Sequence, residues 1–297
     1  MANFEKRVAE NVPGDFFVDT TCIDCDTCRQ LAPAVFGEAA DTAFVHAQPR
    51  TADDRRQALR ALVSCPTGSI GRTGPSEARQ AFGDFPLIVE EPVYYCGFNS
   101  PKSYGGNSYF VRDCGGNWLV DSPKFLPQLV RRFEQLGGIA NIFLTHRDDV
   151  ADAERYARHF GSRRFIHRAE LDSQPGAEVV LEGTEPQQLA PGCLAIPTPG
   201  HTEGHLALLA LGRFLFTGDH LYFDRTAGRL SASHSYCWHS WSEQIESVER
   251  LAAYDFEWVL PGHGQRVRQS PSEMKCQLGE LVDRMRTQGS AGTARGA

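Results

Sequence analysis

Cys22-Ile23-Asp24-Cys25-Asp26-Thr27-Cys28 sets a thiol at every third position of a short stretch, and Cys65 follows later in the chain, directly before Pro66. A tight loop with this spacing can wrap three thiolates around three corners of an iron–sulfur cube, and a distant Cys-Pro supplies the fourth. Zinc more often takes paired C-x-x-C halves. A cluster on Cys22, Cys25, Cys28 and Cys65 is therefore expected, with zinc-binding or merely buried thiols as the alternative. The other cysteines, Cys96, Cys114, Cys193, Cys237 and Cys276, are scattered without ligand spacing and read as small buried apolar residues. A second set of groups lies in fragments that end apolar runs: IFLTHRDDVAD, IPTPGHTEGHLALL with FLFTGDH, and WVLPGHG. His and Asp at strand ends project from loops held by a rigid sheet, so side chains remote in sequence can converge on one ion.

The elements that must position these residues fall into two styles. Residues 15–80 carry four of the nine cysteines among Pro33, Pro49 and Pro66, are poor in long apolar strands, and need a staple to fold. The interval 71–84, GRTGPSEARQAFGD, has no sustained apolar periodicity and is the candidate linker. Beyond it, PLIVEEPVYYCGF and NSYFVRDCGGNWLVD alternate as paired strands, the second broken by a Gly-Gly-Asn turn. KFLPQLVRRFEQLGG places Phe125, Leu126, Leu129, Val130 and Phe133 on one helical face that Gly137 and Gly138 end. IANIFLTH, RRFIHR, CLAIPT, HLALLAL, RFLFTGD and FEWVLPGHG read as strands. VADAERYARHFG, SWSEQIESVERLAAY and SPSEMKCQLGELVDRM read as helices, Ser242 being the expected N-cap of the second. Two sheets covered outside by helices follow from this order.

Composition narrows the class. The formal charge of -7 and the lack of a long basic run argue against nucleic acid and anionic membrane as partners. No apolar run approaches the ~20 residues that span a bilayer, and the opening MANFEKRVAE lacks the apolar core of an export signal. The expectation is a cytoplasmic protein, where cysteines serve as thiols or metal ligands rather than disulfides.

Through FFVDTTCIDCDTCRQLAPAVFG and ALVSCPTGSI the chain resembles bacterial ferredoxins with one cluster, over residues 14–72. No second cysteine triplet follows, so the resemblance implies one [4Fe-4S] cluster, with a [3Fe-4S] form if one corner is labile. Residues 86–272 resemble the metallo-β-lactamase superfamily. There an HxHxDH loop, a TPGHT-like loop, a GD turn and a PGH turn hold one or two metals in an αββα sandwich. Carried over, the ligands are His146, His201, Asp219 and His263. The first loop departs from the pattern: Asp148 stands at the second His, Val150 and Ala151 at the Asp-His pair, and one extra loop residue would bring Asp152 to the Asp position.

The resemblance implies an α+β chain: a ferredoxin-like domain over 1–75, then an αββα metallo-β-lactamase sandwich over 86–290. One metal position keeps His146, Asp148, His201 and Asp219, a His/carboxylate set that suits zinc, iron or manganese. The other keeps Asp219, His263 and Asp152, so a mononuclear site is expected, with Asp148 or Asp152 as catalytic carboxylate. His205, His220 and His167 lie near these loops and read as hydrogen-bonded structural residues. His234, Trp238, His239 and Trp241 read as packing that could line a pocket mouth. The implied function is a metal-dependent hydrolase or a cluster-coupled redox enzyme, acting on a small-molecule substrate or with a redox partner protein. The alternative is a non-catalytic iron–sulfur carrier or sensor on a degenerate hydrolase fold.

Overall fold

The computed structural model describes residues 2–293 other than 76, 113 and 114, and side chains as far as 288; Cys114 lies outside the described residues. The chain forms two compact units, Met1–Ala140 with Ala151–Gly161, and Asn141–Val150 with Ser162–Ala297.

The first unit opens with β1 (Phe16–Val18), α1 (Thr27–Leu31), the hairpin β2 (Phe36–Ala39) and β3 (Thr42–Val45), α2 (Ala52–Ser64) and β4 (Ile70–Arg72). β1 and β4 pair antiparallel with Val18 opposite Ile70, which sets the cysteine loop after β1 beside the Cys65 turn before β4. α2 starts from a capping box: Thr51 Oγ1 accepts from Asp54 N at 3.0 Å and the Asp54 carboxylate accepts from Thr51 N at 3.0 Å. It stops at Cys65, because a residue preceding proline is pushed out of the helical region. Phe16, Val18, Val35, Val45, Ala58 and Leu59 form the small core beneath. Each large apolar side chain buried there contributes about 1.5–3 kcal/mol.

Residues 71–84 are not the open linker that their composition suggests. Arg72 closes β4 and its Nε donates to Asp15 at 2.8 Å, while α3 (Ala78–Phe82) buries Ala81 and packs beside α2. Arg55 Nε reaches Glu77 at 2.9 Å and Arg60 Nε reaches Asp84 at 2.7 Å. The polar residues that imitate a linker are held in ion pairs with partners distant in sequence.

β5 (Leu87–Glu90), β6 (Val93–Tyr95), β7 (Tyr109–Val111) and β8 (Trp118–Val120) then form an antiparallel meander. α4 (Pro127–Gln135) buries Leu129, Val130 and Phe133 as expected, but Phe125 and Leu126 precede it. Leu126 is extended at φ -120°, ψ 136°, as the residue before a proline tends to be. α5 (Ala153–Phe160) closes on Gly161 in the left-handed region at φ 68°.

In the second unit β9 (Asn141–Phe143), β10 (Arg163–His167) and β11 (Val179–Leu181) run parallel. The remaining strands are β12 (Gln187–Ala190), β13 (Cys193–Pro197), β14 (Leu206–Ala210), β15 (Phe214–Gly218), the hairpin β16 (Tyr222–Asp224) and β17 (Arg229–Ser231), β18 (Trp258–Pro261) and β19 (Val267–Arg268). A six-stranded sheet has the order β12-β13-β14-β15-β18-β19, with β15 and β18 parallel and α6 (Trp241–Leu251) between them in sequence. Leu215 and Val259 of this sheet join Val248 and Leu251 of α6 and Leu278, Leu281 and Met285 of α7 (Pro271–Thr293) in one core. The N-cap of α6 is Ser240 rather than Ser242: Ser240 Oγ accepts from Glu243 N at 3.3 Å.

Candidate metal centres

Between β1 and α1 the chain winds through left-handed Asp24 (φ 54°) and Asp26 (φ 63°), a conformation Asp tolerates better than most residues. Arg29 ties both down, its Nε 2.6 Å from Asp26 Oδ1 and its Nη1 2.5 Å from Asp24 Oδ1. The four cysteines line one cavity with Ile23, Ala43, Pro66 and Ile70. Backbone amides point at the sulfurs: Cys22 Sγ accepts from Ala43 N at 3.4 Å and Asp24 N at 3.5 Å, and Cys65 Sγ accepts from Ser69 N at 3.3 Å. Such N–H donors favour thiolate. Burial opposes it, raising the Cys22 thiol, pushing Cys25 up to about 11 and lifting Cys28 well above the usual thiol range. These sulfurs therefore ionise when a cation compensates them. Among the described residues no three of them come within 4.8 Å of one another. A single zinc ion, with bonds of ~2.3 Å, would draw its sulfurs closer than that. The cavity fits a cluster with several metal corners.

The second centre is assembled from four loops of the second unit. His146 follows β9, His201 and His205 lie between β13 and β14, Asp219 and His220 follow β15, and His263 follows β18. His146 Nε2 is 3.7 Å from Asp219 Oδ2 and 3.9 Å from Asp148 Oδ2. His201 Nε2 is 3.7 Å from Asp148 Oδ2 and 3.8 Å from Asp219 Oδ2, and His263 Nε2 is 3.8 Å from Asp219 Oδ2. Ligand atoms of His146, Asp148 and His201 lie within 4.8 Å of one another, and so do those of His146, Asp149 and Asp219. The other ring nitrogens orient the imidazoles: His146 Nδ1 is 3.0 Å from Thr145 Oγ1, and His201 Nδ1 is 2.5 Å from Tyr236 O. His146 Nε2 and His201 Nε2 are buried without a hydrogen-bond partner. Buried imidazole nitrogens facing carboxylates in this way are what a divalent cation satisfies.

Burial lowers the pKa of His146 to about 4, against the pull of Asp219, leaving a neutral ligand at neutral pH. Burial also lowers His220 to about 3 and His205 well below the usual imidazole range. At His201 burial opposes charge, but Asp148, Asp219 and the Tyr236 carbonyl prevail and raise its pKa. Asp148 is held low by its contact with His201; Asp219 is held low because His263, His146 and His201 outweigh its burial. Asp148 and Asp219, held ionised beside a neutral His146, leave negative charge that suits a cation.

Five of the expected ligands, His146, Asp148, His201, Asp219 and His263, are thus brought together. Asp152 is not with them: it belongs to the other unit, where its carboxylate accepts from Lys102 Nζ at 2.8 Å and Phe125 N at 2.9 Å. The carboxylate beside Asp219 is Asp149, which sequence reasoning passed over. A short 3₁₀ turn, Arg147–Asp149, makes the loop compact, so Asp149 arrives where an expanded loop would have delivered Asp152. A Cβ on Gly262 would lie 2.6 Å from Asp219 Oδ1 and 2.7 Å from Asp149 Oδ2, so a glycine is what lets both carboxylates sit there. Glu170 carries no motif that marks it in the sequence; its buried carboxylate accepts from Gly204 N at 2.7 Å and steadies the His201–His205 loop.

Residues 89–284 match the metallo-β-lactamase superfamily, and residues 18–72 match the 4Fe-4S single cluster domain of ferredoxin I. The chain belongs to the metallo-β-lactamase superfamily. It bears a single-cluster ferredoxin domain ahead of that fold, which supports a [4Fe-4S] cluster as its cofactor, and the His/Asp groups form a candidate metal site. A hydroxyacylglutathione hydrolase of Fuscovulum blasticum is 30% identical over 154 residues, 50% of this chain and 58% of that protein, so the chain spans little more than half of that relative. The crystal structure of the metallo-β-lactamase FIM-1 from Pseudomonas aeruginosa superposes with a TM-score of 0.50 at 18% identity, over 66% of this chain and 93% of that one. ETHE1 from Myxococcus xanthus gives 0.47 at 20% identity, over 64% and 84%. What the FIM-1 match establishes is the fold. No helix among the described residues is long and apolar enough to cross a membrane.

Proposed function

We propose that this chain is a metal-dependent hydrolase of small-molecule thioesters whose activity is housed with, but does not consume electrons from, its iron–sulfur cluster. The observation that carries the reading is the convergence of His146, His201, Asp148 and Asp219 with buried, unpartnered imidazole nitrogens. The thioester class is taken from the relative named a hydroxyacylglutathione hydrolase. His146, Asp148, His201 and Asp219 would hold the metal, which supplies Lewis-acid polarisation of a carbonyl and acidification of water. Asp149, buried beside Asp219, is assigned the acceptor of the proton released by the attacking water. Tyr236 and Trp238 are exposed, with ring centroids 6.0 Å apart and Trp238 6.2 Å from His201, and offer an apolar wall for the acyl or thiol portion. A reducing compartment such as the cytoplasm suits the thiol-rich cluster cavity.

A second reading has its own support. Hydrolysis needs no electrons, and the fused ferredoxin domain favours delivery of them to an iron at the His/Asp site, using a redox partner protein. Thiol release from a thioester, followed for wild type, His201→Ala and Cys25→Ala, separates the two. Hydrolysis predicts loss of turnover to the uncatalysed rate in His201→Ala and unchanged turnover in folded Cys25→Ala. Turnover that needs a reduced cluster would move the assignment to the redox reading, and undiminished turnover in His201→Ala would overturn both.

A further inference from the structure

Lys124 sits outside the segment that matches the ferredoxin domain, in the turn between β8 and α4. Its side chain nevertheless ends at the cluster cavity. Lys124 Nζ donates to Pro66 O at 2.9 Å and to Cys65 O at 3.4 Å, the two carbonyls of the turn that carries the fourth ligand. Its backbone is fixed on both sides: its N–H donates to Phe98 O at 3.0 Å and its carbonyl accepts from Tyr156 Oη at 2.8 Å. Among the described residues it forms no ion pair with a carboxylate; burial lowers its pKa, and the charges that oppose that lowering are the sulfurs of Cys65 and Cys25. A half-buried ammonium so placed lacks a counter-charge until something anionic fills the cavity.

The loop between β6 and β7 closes the Cys25 corner. Gly105, at φ 87°, approaches so closely that an added Cβ would lie 2.7 Å from Cys25 Cβ and 3.0 Å from its Sγ. Asn99 Nδ2 donates to Gly105 O at 2.7 Å and to Thr27 Oγ1 at 3.0 Å, and Thr27 Oγ1 is 3.4 Å from Cys25 Sγ.

We infer that Lys124 is the fixed counter-charge of the iron–sulfur cluster and raises its reduction potential. A cluster on four thiolates is anionic, and reduction by one electron adds a further negative charge. A cation held near the sulfurs stabilises the reduced form more than the oxidised one. The module's potential is thereby set in part by a residue of the hydrolase-like segment. The inference rests on the cluster alone and stands whatever reaction the second centre performs.

The test is a potentiometric titration of the full chain with its cluster loaded, followed by electron paramagnetic resonance of the reduced form, for wild type, Lys124→Met and Lys124→Arg. The expected result is a midpoint shifted to more negative potential in Lys124→Met and kept near wild type in Lys124→Arg. Loss of the cluster in Lys124→Met with retention in Lys124→Arg also supports a counter-charge. An unchanged midpoint in fully loaded Lys124→Met would overturn the inference. So would equal shifts, or equal cluster loss, in both variants, since that marks Lys124 as a strut.

Discussion

At the residue scale the His/Asp centre depends on which groups refuse a proton. Unfolded imidazoles titrate near 6.5, whereas burial holds His146 to about 4 and His220 to about 3. Below pH 6.5 the unfolded chain therefore binds protons that the fold excludes, and the metal-free protein loses stability as pH falls from 6.5 towards 4. At pH 5 each such imidazole costs on the order of 2 kcal/mol. His201, with its raised pKa, works the other way, since its stabilisation is present at low pH and lost as pH rises through its folded value. Two depressed imidazoles outweigh one raised, and His205 adds a third. Thermal unfolding of chelator-treated protein at pH 7 and pH 5 should give a clearly lower Tm at pH 5; an equal or higher value contradicts the assignment. Gly262 gives a second residue-scale expectation. Gly262→Ala would force a methyl against Asp219 and Asp149, and misplaced carboxylates cost metal affinity about 10–100-fold. A zinc titration monitored by competition with a chromophoric chelator should show that weakening, and an unchanged Kd would speak against Asp219 as a ligand.

Among the elements, the start of α6 does more positioning than its sequence advertises. Ser240 N donates to Gly200 O at 2.9 Å, Trp238 N to His201 O at 2.9 Å, Ser247 Oγ to Pro199 O at 2.7 Å and Gln244 Nε2 to His220 O at 2.8 Å. One helix end thus holds two metal-site loops. Ser240→Ala removes the N-cap and should lower unfolding free energy by about 1 kcal/mol in a denaturant titration; no change would mean that Ser242 or water takes over the cap. What sequence could reveal follows the range of the interactions. The cysteine spacing was readable because three ligands of one cluster lie within a local loop, and the buried stripe Leu129, Val130 and Phe133 because helical periodicity is local too. The start of α4 was misplaced because Pro127 keeps Leu126 extended. Residues 71–84 were misread because Arg72 and Asp15, which stitch them down, stand 57 positions apart. Asp149 was missed for a similar reason: whether Asp149 or Asp152 faces Asp219 depends on the 3₁₀ turn at Arg147–Asp149, and residue spacing does not report how a short loop folds.

For the whole molecule, one chain brings together ligand sets for two metal chemistries, thiolates for an iron–sulfur cube and a His/carboxylate set for a separate ion. Their ligand demands differ enough to be dissected independently. The most direct measurement is elemental analysis for iron, zinc and manganese together with acid-labile sulfide, on anaerobically purified wild type, Cys25→Ala and His201→Ala. About four cluster irons with matching sulfide are expected in wild type and His201→Ala but not in Cys25→Ala. A further metal ion is expected in wild type and Cys25→Ala and is lost in His201→Ala. Colourless protein without labile sulfide, carrying zinc that disappears in Cys25→Ala, would contradict the cluster assignment.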